Sequence, residues 1–414
     1  MKPSARGLKI AVTGLAASYP LGGVFWDYFQ YVIGFLLLGH DVIYIEDTGQ
    51  WCYNPEKETF SESGAAHAAY LEKQIRSLPW DLSDRWYYRD GAGNEYGLSW
   101  QKVVEFCEVA DLFLNISGAC WMRDEYFKAR RTAFVDSDPM YTQALVPDYL
   151  NNTISLSDKT RVEAMLRHQV FFTFGENIYH NDCLVPLGLF AWVPTRQPIL
   201  FDYLYSKRVP IELRRRVFTT IGSTEPSLKP LVVAGQRYYG KSVELRRFIG
   251  LPRWSPVPLE LAMSGGPEQL ELTSEGWRFI RAYEVSKDPW VYLGYLARSF
   301  GEWSVAKNAY VASRSGWFSC RTACYMALGV PGVVQDTGFS RFFPVGEGLL
   351  PFETLEDAAA SIAEVTGDPK RHAIAAADIS REYFDYRVVL PALLDRAFSS
   401  QRSSAASNSV PEVV

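Results

Sequence analysis

Residues Ser313 to Glu347 read SRSGWFSCRTACYMALGVPGVVQDTGFSRFFPVGE. The order is a small-residue loop, a helix, a Gly-Val-Pro break, an apolar strand and a polar turn. Ser315, Gly316 and Ser319 let backbone N–H groups gather at a helix N-terminus, where positive partial charge suits a diphosphate. The run Gly332-Val333-Val334 predicts a buried parallel strand, with Gln335, Asp336 and Thr337 at its carboxyl end. In an open parallel sheet, that end faces the ligand crevice. A phosphate seat beside amide, carboxylate and hydroxyl groups suits a nucleotide sugar.

This segment resembles the donor half of GT-B glycosyltransferases, whose second domain carries a Gly-x-x-x-Ser-type loop, a helix, a Gly-x-Pro and a strand. The N-terminus is similar to the opening of that superfamily. Lys9 to Thr48 reads KIAVTGLAASYPLGGVFWDYFQYVIGFLLLGHDVIYIEDT: a strand, a Gly-Gly loop, a helix, then Gly-His-Asp-Val and a second strand. The resemblance implies an α/β protein with two Rossmann-like parallel-sheet domains facing across a cleft, and a C-terminal helix crossing back. It also implies sugar transfer from a nucleotide-sugar cosubstrate, with no cofactor and no essential metal. Many members place a Glu on the donor helix to hold the ribose; this chain has Thr322 or Cys324 at the corresponding positions.

A chain of 414 residues exceeds one ordinary core and points to two domains. Its 48% hydrophobic and 21% charged content is that of a soluble globular protein. The 14% aromatic content is high, and core packing accounts for it more simply than an apolar acceptor pocket does. A net charge of -5 gives no support for nucleic acid or an anionic membrane as partner. No leader or spanning segment is visible, so a cytoplasmic protein with reduced thiols is expected. The six cysteines lack CxxC spacing and offer no zinc site.

The organisation expected is a first, acceptor-side domain over residues 1–195 and a donor-binding domain over 196–385. A crossover helix at 386–398 and a disordered tail at 399–414 follow. Strands at 9–15 and 42–45 flank a helix at 25–38 that Gly39 stops. Residues 51–100 form an excursion with a helix near 65–77, placed to shape the acceptor site. Further strands are predicted at 112–115, 133–135 and 170–173, each ending in polar residues. Val193 to Pro198 is the expected linker. The second series starts at Val217 to Ile221, and the run Arg214-Arg215-Arg216 before it is read as a solvated helix end.

Candidate site residues follow from these placements. Gly22 and Gly23, at the first helix N-terminus, let the backbone approach a sugar or phosphate. Ser223 lies in a small-residue loop after the first strand of the second series. Lys307 supplies a cation for the diphosphate leaving group, with Arg321 beside it. Gly235 to Ser242 satisfies GxxxxGK[ST] after the apolar Leu231-Val232-Val233, so Lys241 is either a true P-loop lysine, a simpler phosphate contact, or part of a structural turn. For the proton acceptor, Asp27 in the first turn of the first helix and Asp138 in Asp136-Ser137-Asp138-Pro139 are the candidates, with Asp136 and Glu176 of similar standing.

The expected partners are a nucleotide sugar and a small-molecule acceptor, the transferred group a hexosyl or deoxysugar unit, and the protein a monomer or homodimer without nucleic acid or stable membrane insertion. Competing readings are a nucleotide-sugar epimerase on the same fold, a P-loop NTP-binding enzyme, and a non-catalytic partner that keeps the fold.

Overall fold

A computed structural model describes residues 7–61, 63–223, 230–264 and 269–399. The expected tail from residue 400 onward lies outside the described residues.

Two large sheets organise the chain. The first has eight strands in the order Trp192–Pro194, Val170–Thr173, Thr132–Asp136, Leu112–Ile116, Lys9–Thr13, Asp41–Asp47, Trp86–Arg89 and Glu95–Gly97. Its pairings are parallel except the last, which is antiparallel. The second has six strands, all parallel: Arg278–Arg281, Leu259–Ser264, Arg215–Ser223, Ser299–Ser304, Gly332–Gln335 and Leu349–Phe352. In each sheet the chain starts in the middle, works outward, then returns to the other side of its first strand. That reversal leaves a crevice at the strands' carboxyl ends, where open α/β sheets bind ligands. The crevices lie beside Ile116 and Ser117 in the first sheet, and beside Gly222, Ser223 and Lys307 in the second. All five residues line one cleft.

Apolar side chains join the two halves. The helix Gly22–Leu37 is buried on most of its circumference, because it packs on the first sheet and also on helix Pro289–Ala297 of the second half. Trp26 meets Trp290 edge to face at 5.7 Å and donates its indole N–H to the Pro289 carbonyl at 3.1 Å. The helix ends before Gly39, whose φ of +88° is the left-handed conformation that glycine adopts at little cost. Trp26, Trp303, Tyr31 and Tyr44 are among the largest fully buried side chains, so much of the aromatic content goes into packing. The final helix, Tyr386–Ser399, crosses back onto Gly22–Leu37, with Leu390 packed against Gly34.

Several sequence expectations are corrected. The stretch 51–100 is not a single excursion: Trp86–Arg89 and Glu95–Gly97 extend the first sheet. The hairpin Cys52–Asn54/Thr59–Ser61 reaches across to the second half, where Arg281 donates to the Glu56 carbonyl at 2.8 Å, and so does Ser77, whose hydroxyl accepts from the Trp290 indole at 2.9 Å. Trp192–Pro194 is an edge strand, so the linker begins after it. Arg214 is no solvated helix end. Its guanidinium is buried and donates to the carbonyls of Val209, Gly329 and Leu328. Arg215 opens a strand and pairs with Glu260. Ser399 closes the last helix rather than opening a tail.

The P-loop reading fails on topology. Leu231–Val233 and Gln236–Tyr238 form an antiparallel hairpin, with Ala234 and Gly235 in its left-handed turn. A phosphate-wrapping loop instead runs directly from a parallel strand into a helix.

Candidate active site

The cleft between the sheets has a volume of about 400 Å³ and is open on one side to solvent. Its second-domain wall is cationic. Gly222, near the carboxyl end of strand Arg215–Ser223, has no side chain to fill the space beside it. A Cβ built there would lie 3.1 Å from Lys241 Nζ and 3.7 Å from Arg321 Nη1. These cations come from the first turns of two separate helices, Lys241–Arg247 and Cys320–Ala327, whose N-termini add positive partial charge. Ser223, Lys307 and Ser319 line the same wall.

Buried partners hold Arg321 and the helix that carries Lys241 in place. Arg321 donates from Nε to Glu302 Oε1 at 2.7 Å and from Nη1 to the Ile221 carbonyl at 2.7 Å. Burial works against its charge, but Glu302 keeps its pKa above the usual value. The Lys241 helix is clipped through Glu244, which accepts from Asn308 at 2.6 Å and from Gln335 at 2.5 Å. Just before that helix, Gly240 and Tyr239 bond to the backbone of residues 308 and 309.

The first-domain wall carries the carboxylates. Asp27 lies in the second turn of helix Gly22–Leu37, not in the first turn as expected. It lines the cleft. Removal from water pushes its pKa up to about 7, against the pull of Arg321 and with a further push from Asp138. Asp138 is held the other way. Burial alone would raise it, but Lys307, donating at 2.8 Å, and the Tyr310 hydroxyl hold it below the ordinary carboxylate range. The two acids are thus separated by environment: one poised near neutrality, one ionised. Along the same wall Ser117 and Ser137 share a hydrogen bond at 2.7 Å.

Gly23, Ser223, Lys241, Lys307, Ser319, Arg321, Asp27 and Asp138 therefore meet in one cavity. Six other predicted residues do not line it. Gly22 is packed so tightly that a Cβ would sit 2.3 Å from the Asp288 carbonyl oxygen. Ser315 is fully buried, and its hydroxyl accepts from the Trp317 N–H. Gly316 donates its N–H to the Thr337 carbonyl at 2.8 Å, so that group is spent within the fold. Gln335 bonds Glu244 and the Ala306 N–H. Asp336 caps its own turn through Gly338 and Ser340, and Thr337 donates to the Trp317 carbonyl. Apart from Gly22, these groups build the second-domain wall without lining the cavity.

Asp136 and Glu176 are structural as well. Asp136 is buried under bonds from Gln143, Thr142 and Thr173, and burial raises its pKa to about 6. Glu176 makes a two-point pair with Arg196, both contacts at 2.7 Å. At the positions of the ribose Glu, Thr322 is buried and Cys324 Sγ accepts from Gln30 at 3.6 Å.

Glu302 and Tyr310 escaped the sequence reading. Glu302 sits in a strand buried along its whole length, Ser-Phe-Gly-Glu-Trp-Ser, and a lone charged residue there was the available signal. Its partner is chosen by sheet order, which the local sequence does not display.

No family model and no curated protein matches the chain by sequence. Solved structures do match over nearly its whole length. An alpha-glucosyltransferase in complex with UDP and a 13-mer DNA is 10% identical, with a TM-score of 0.55 over 94% of this chain and 99% of that one. Sucrose-phosphate synthase from Thermosynechococcus elongatus is 12% identical, with a TM-score of 0.52 over 93% and 97%. AviGT4, a glycosyltransferase involved in avilamycin A biosynthesis, is 12% identical, with a TM-score of 0.51 over 94% and 97%. The chain has the two-domain GT-B fold of these proteins. Among the described residues, no helix is long and apolar enough to cross a membrane.

Proposed function

We propose that this chain is a glycosyltransferase that moves a sugar from a nucleotide-sugar donor to a small-molecule acceptor. The observation that carries the proposal is the convergence of Lys241 and Arg321 on the bare backbone of Gly222, beside two helix N-termini. Two fixed cations and helix dipoles around a gap the size of a missing side chain suit a diphosphate. The structural neighbour bound to UDP supports a nucleotide donor.

In this scheme the bond between the sugar's anomeric carbon and the diphosphate oxygen breaks, and the electron pair leaves with the diphosphate. Lys241, Arg321 and Lys307 stabilise the charge that grows there. The acceptor oxygen bonds the anomeric carbon and its proton passes to Asp27, whose pKa near 7 suits a base working near neutrality. Asp138 serves differently from the base first considered. It is the ionised partner that holds Lys307 over the cleft. The carboxylates on the first-domain wall of the cleft favour a small neutral acceptor over a polyanion.

The test is nucleoside diphosphate release from UDP-, TDP-, GDP- and ADP-sugars in the presence of a panel of small alcohols and phenols. Turnover with one donor class that falls at least a hundredfold in both Lys241→Ala and Arg321→Ala supports the assignment. Turnover unaffected by either variant refutes it.

A further inference from the structure

Glu302 is a fully buried charge behind the cleft wall. It is 0% exposed, in the strand that lies between Arg215–Ser223 and Gly332–Gln335. Oε1 accepts from Arg321, while Oε2 has no hydrogen-bond partner among the described residues. Burying a carboxylate with one oxygen unsatisfied costs stability, and an apolar pair would fill the same space without that cost. What the carboxylate does supply is geometry. Glu302 fixes Nε and the Ile221 carbonyl fixes Nη1, so the guanidinium plane is set from two sides. The remaining N–H groups of Arg321 are left for the cavity it lines.

We infer that Glu302 is a positioning residue: it does not touch the donor, but it holds Arg321 in the orientation that binds the donor diphosphate. The inference rests on the donor reading given above. It further specifies that the contribution is placement rather than charge. Removing the negative charge alone would strengthen a cationic pocket for an anion, whereas releasing the guanidinium would weaken it.

Two substitutions separate these effects. Glu302→Gln keeps an oxygen that reaches Nε but loses the charge. Glu302→Asp keeps the charge but is one carbon–carbon bond, about 1.5 Å, too short. Calorimetric titration of the full chain with UDP, TDP, GDP and ADP first identifies a binding diphosphate. Glu302→Gln is then expected to bind it within about threefold of wild type, and Glu302→Asp at least about tenfold more weakly. In an Arg321→Ala background, Glu302→Asp is expected to add nothing, because its effect runs through Arg321. Unfolding midpoints are recorded for every variant. If Glu302→Asp does not fold, Glu302→Gln and its combination with Arg321→Ala carry the test.

Three results overturn the inference: wild-type affinity in Glu302→Asp, a tenfold loss in Glu302→Gln, or an undiminished Glu302→Asp effect when Arg321 is absent. Failure of the wild type to bind any of the four diphosphates strikes the donor reading instead.

Discussion

Lys307 Nζ, on the second-domain wall of the cleft, lies 2.8 Å from Asp138 Oδ1 on the first-domain wall. The pair spans the two sheets, and Tyr310 donates to the same carboxylate oxygen. Asp138 thus holds a second-domain cation from the opposite wall of the cleft. Both side chains are partly exposed, so the pair is worth about 1 kcal/mol or less in stability. Asp138→Asn is expected to shift the urea midpoint little and to lower turnover at least tenfold. Equal turnover in the variant would show that Lys307 needs no such partner.

The pH profile isolates Asp27. Its folded pKa of about 7 stands above the ordinary 3.8. As the proposed base it must be ionised, so kcat/KM should rise with pH through about 7 and then level off. Asp27→Asn should lose most activity along with that limb.

Linkage gives Asp27 a second signature. Between pH 3.8 and about 7 the folded chain holds a proton that the unfolded chain has released. Stability from this group is therefore highest below the unfolded value, falls as pH rises through that window, and is flat above it. Asp27→Asn removes the slope and should be more stable than wild type at pH 8, by on the order of a few kcal/mol. Urea unfolding at pH 5 and pH 8 reads the difference directly.

Gly222→Val places a Cβ between Lys241 and Arg321, 3.1 Å from Lys241 Nζ and 3.7 Å from Arg321 Nη1, and its methyls add bulk there. Its backbone is extended strand, which a β-branched residue adopts readily. The variant should fold with near-native stability yet bind nucleoside diphosphate at least tenfold more weakly by calorimetry.

Two glycines with nearly the same φ should respond differently to alanine. Gly316 and Gly235 have φ of +78° and +79°. At Gly316 a Cβ would meet the Asn177 backbone N at 2.4 Å; at Gly235 nothing lies within 4 Å. Gly235→Ala should cost only the left-handed backbone penalty, about 1 kcal/mol. Gly316→Ala should cost at least twice that, about 2 kcal/mol or more, since the loop must also move. Denaturant unfolding of the two variants checks the ordering.

The sequence made the sheets legible because parallel strands buried on both faces read as continuous apolar runs, and Gly22–Leu37 read as a helix ended by Gly39. The same local signals misled at Gly235 to Ser242, where the motif matched but the preceding strand belonged to a hairpin. At the site, Lys307, Arg321 and Ser319 were reachable from loop and helix position alone. Gln335, Asp336 and Thr337 were placed at the right strand end, yet their side chains turn to Glu244, Ser340 and the Trp317 carbonyl. Which polar group serves the fold and which serves the cavity depends on partners far away in the chain, 169 residues in the case of Lys307 and Asp138. The local pattern does not carry that information.

The most direct test of the central claim is a thermal-shift titration of the full chain with UDP, TDP, GDP and ADP, repeated in Arg321→Ala, with magnesium-ATP as a control. A ligand that binds only the native state must raise the melting temperature. The account predicts a dose-dependent rise with one nucleoside diphosphate, lost in Arg321→Ala, and none specific to magnesium-ATP. No rise with any diphosphate, or an equal rise without Arg321, would contradict it.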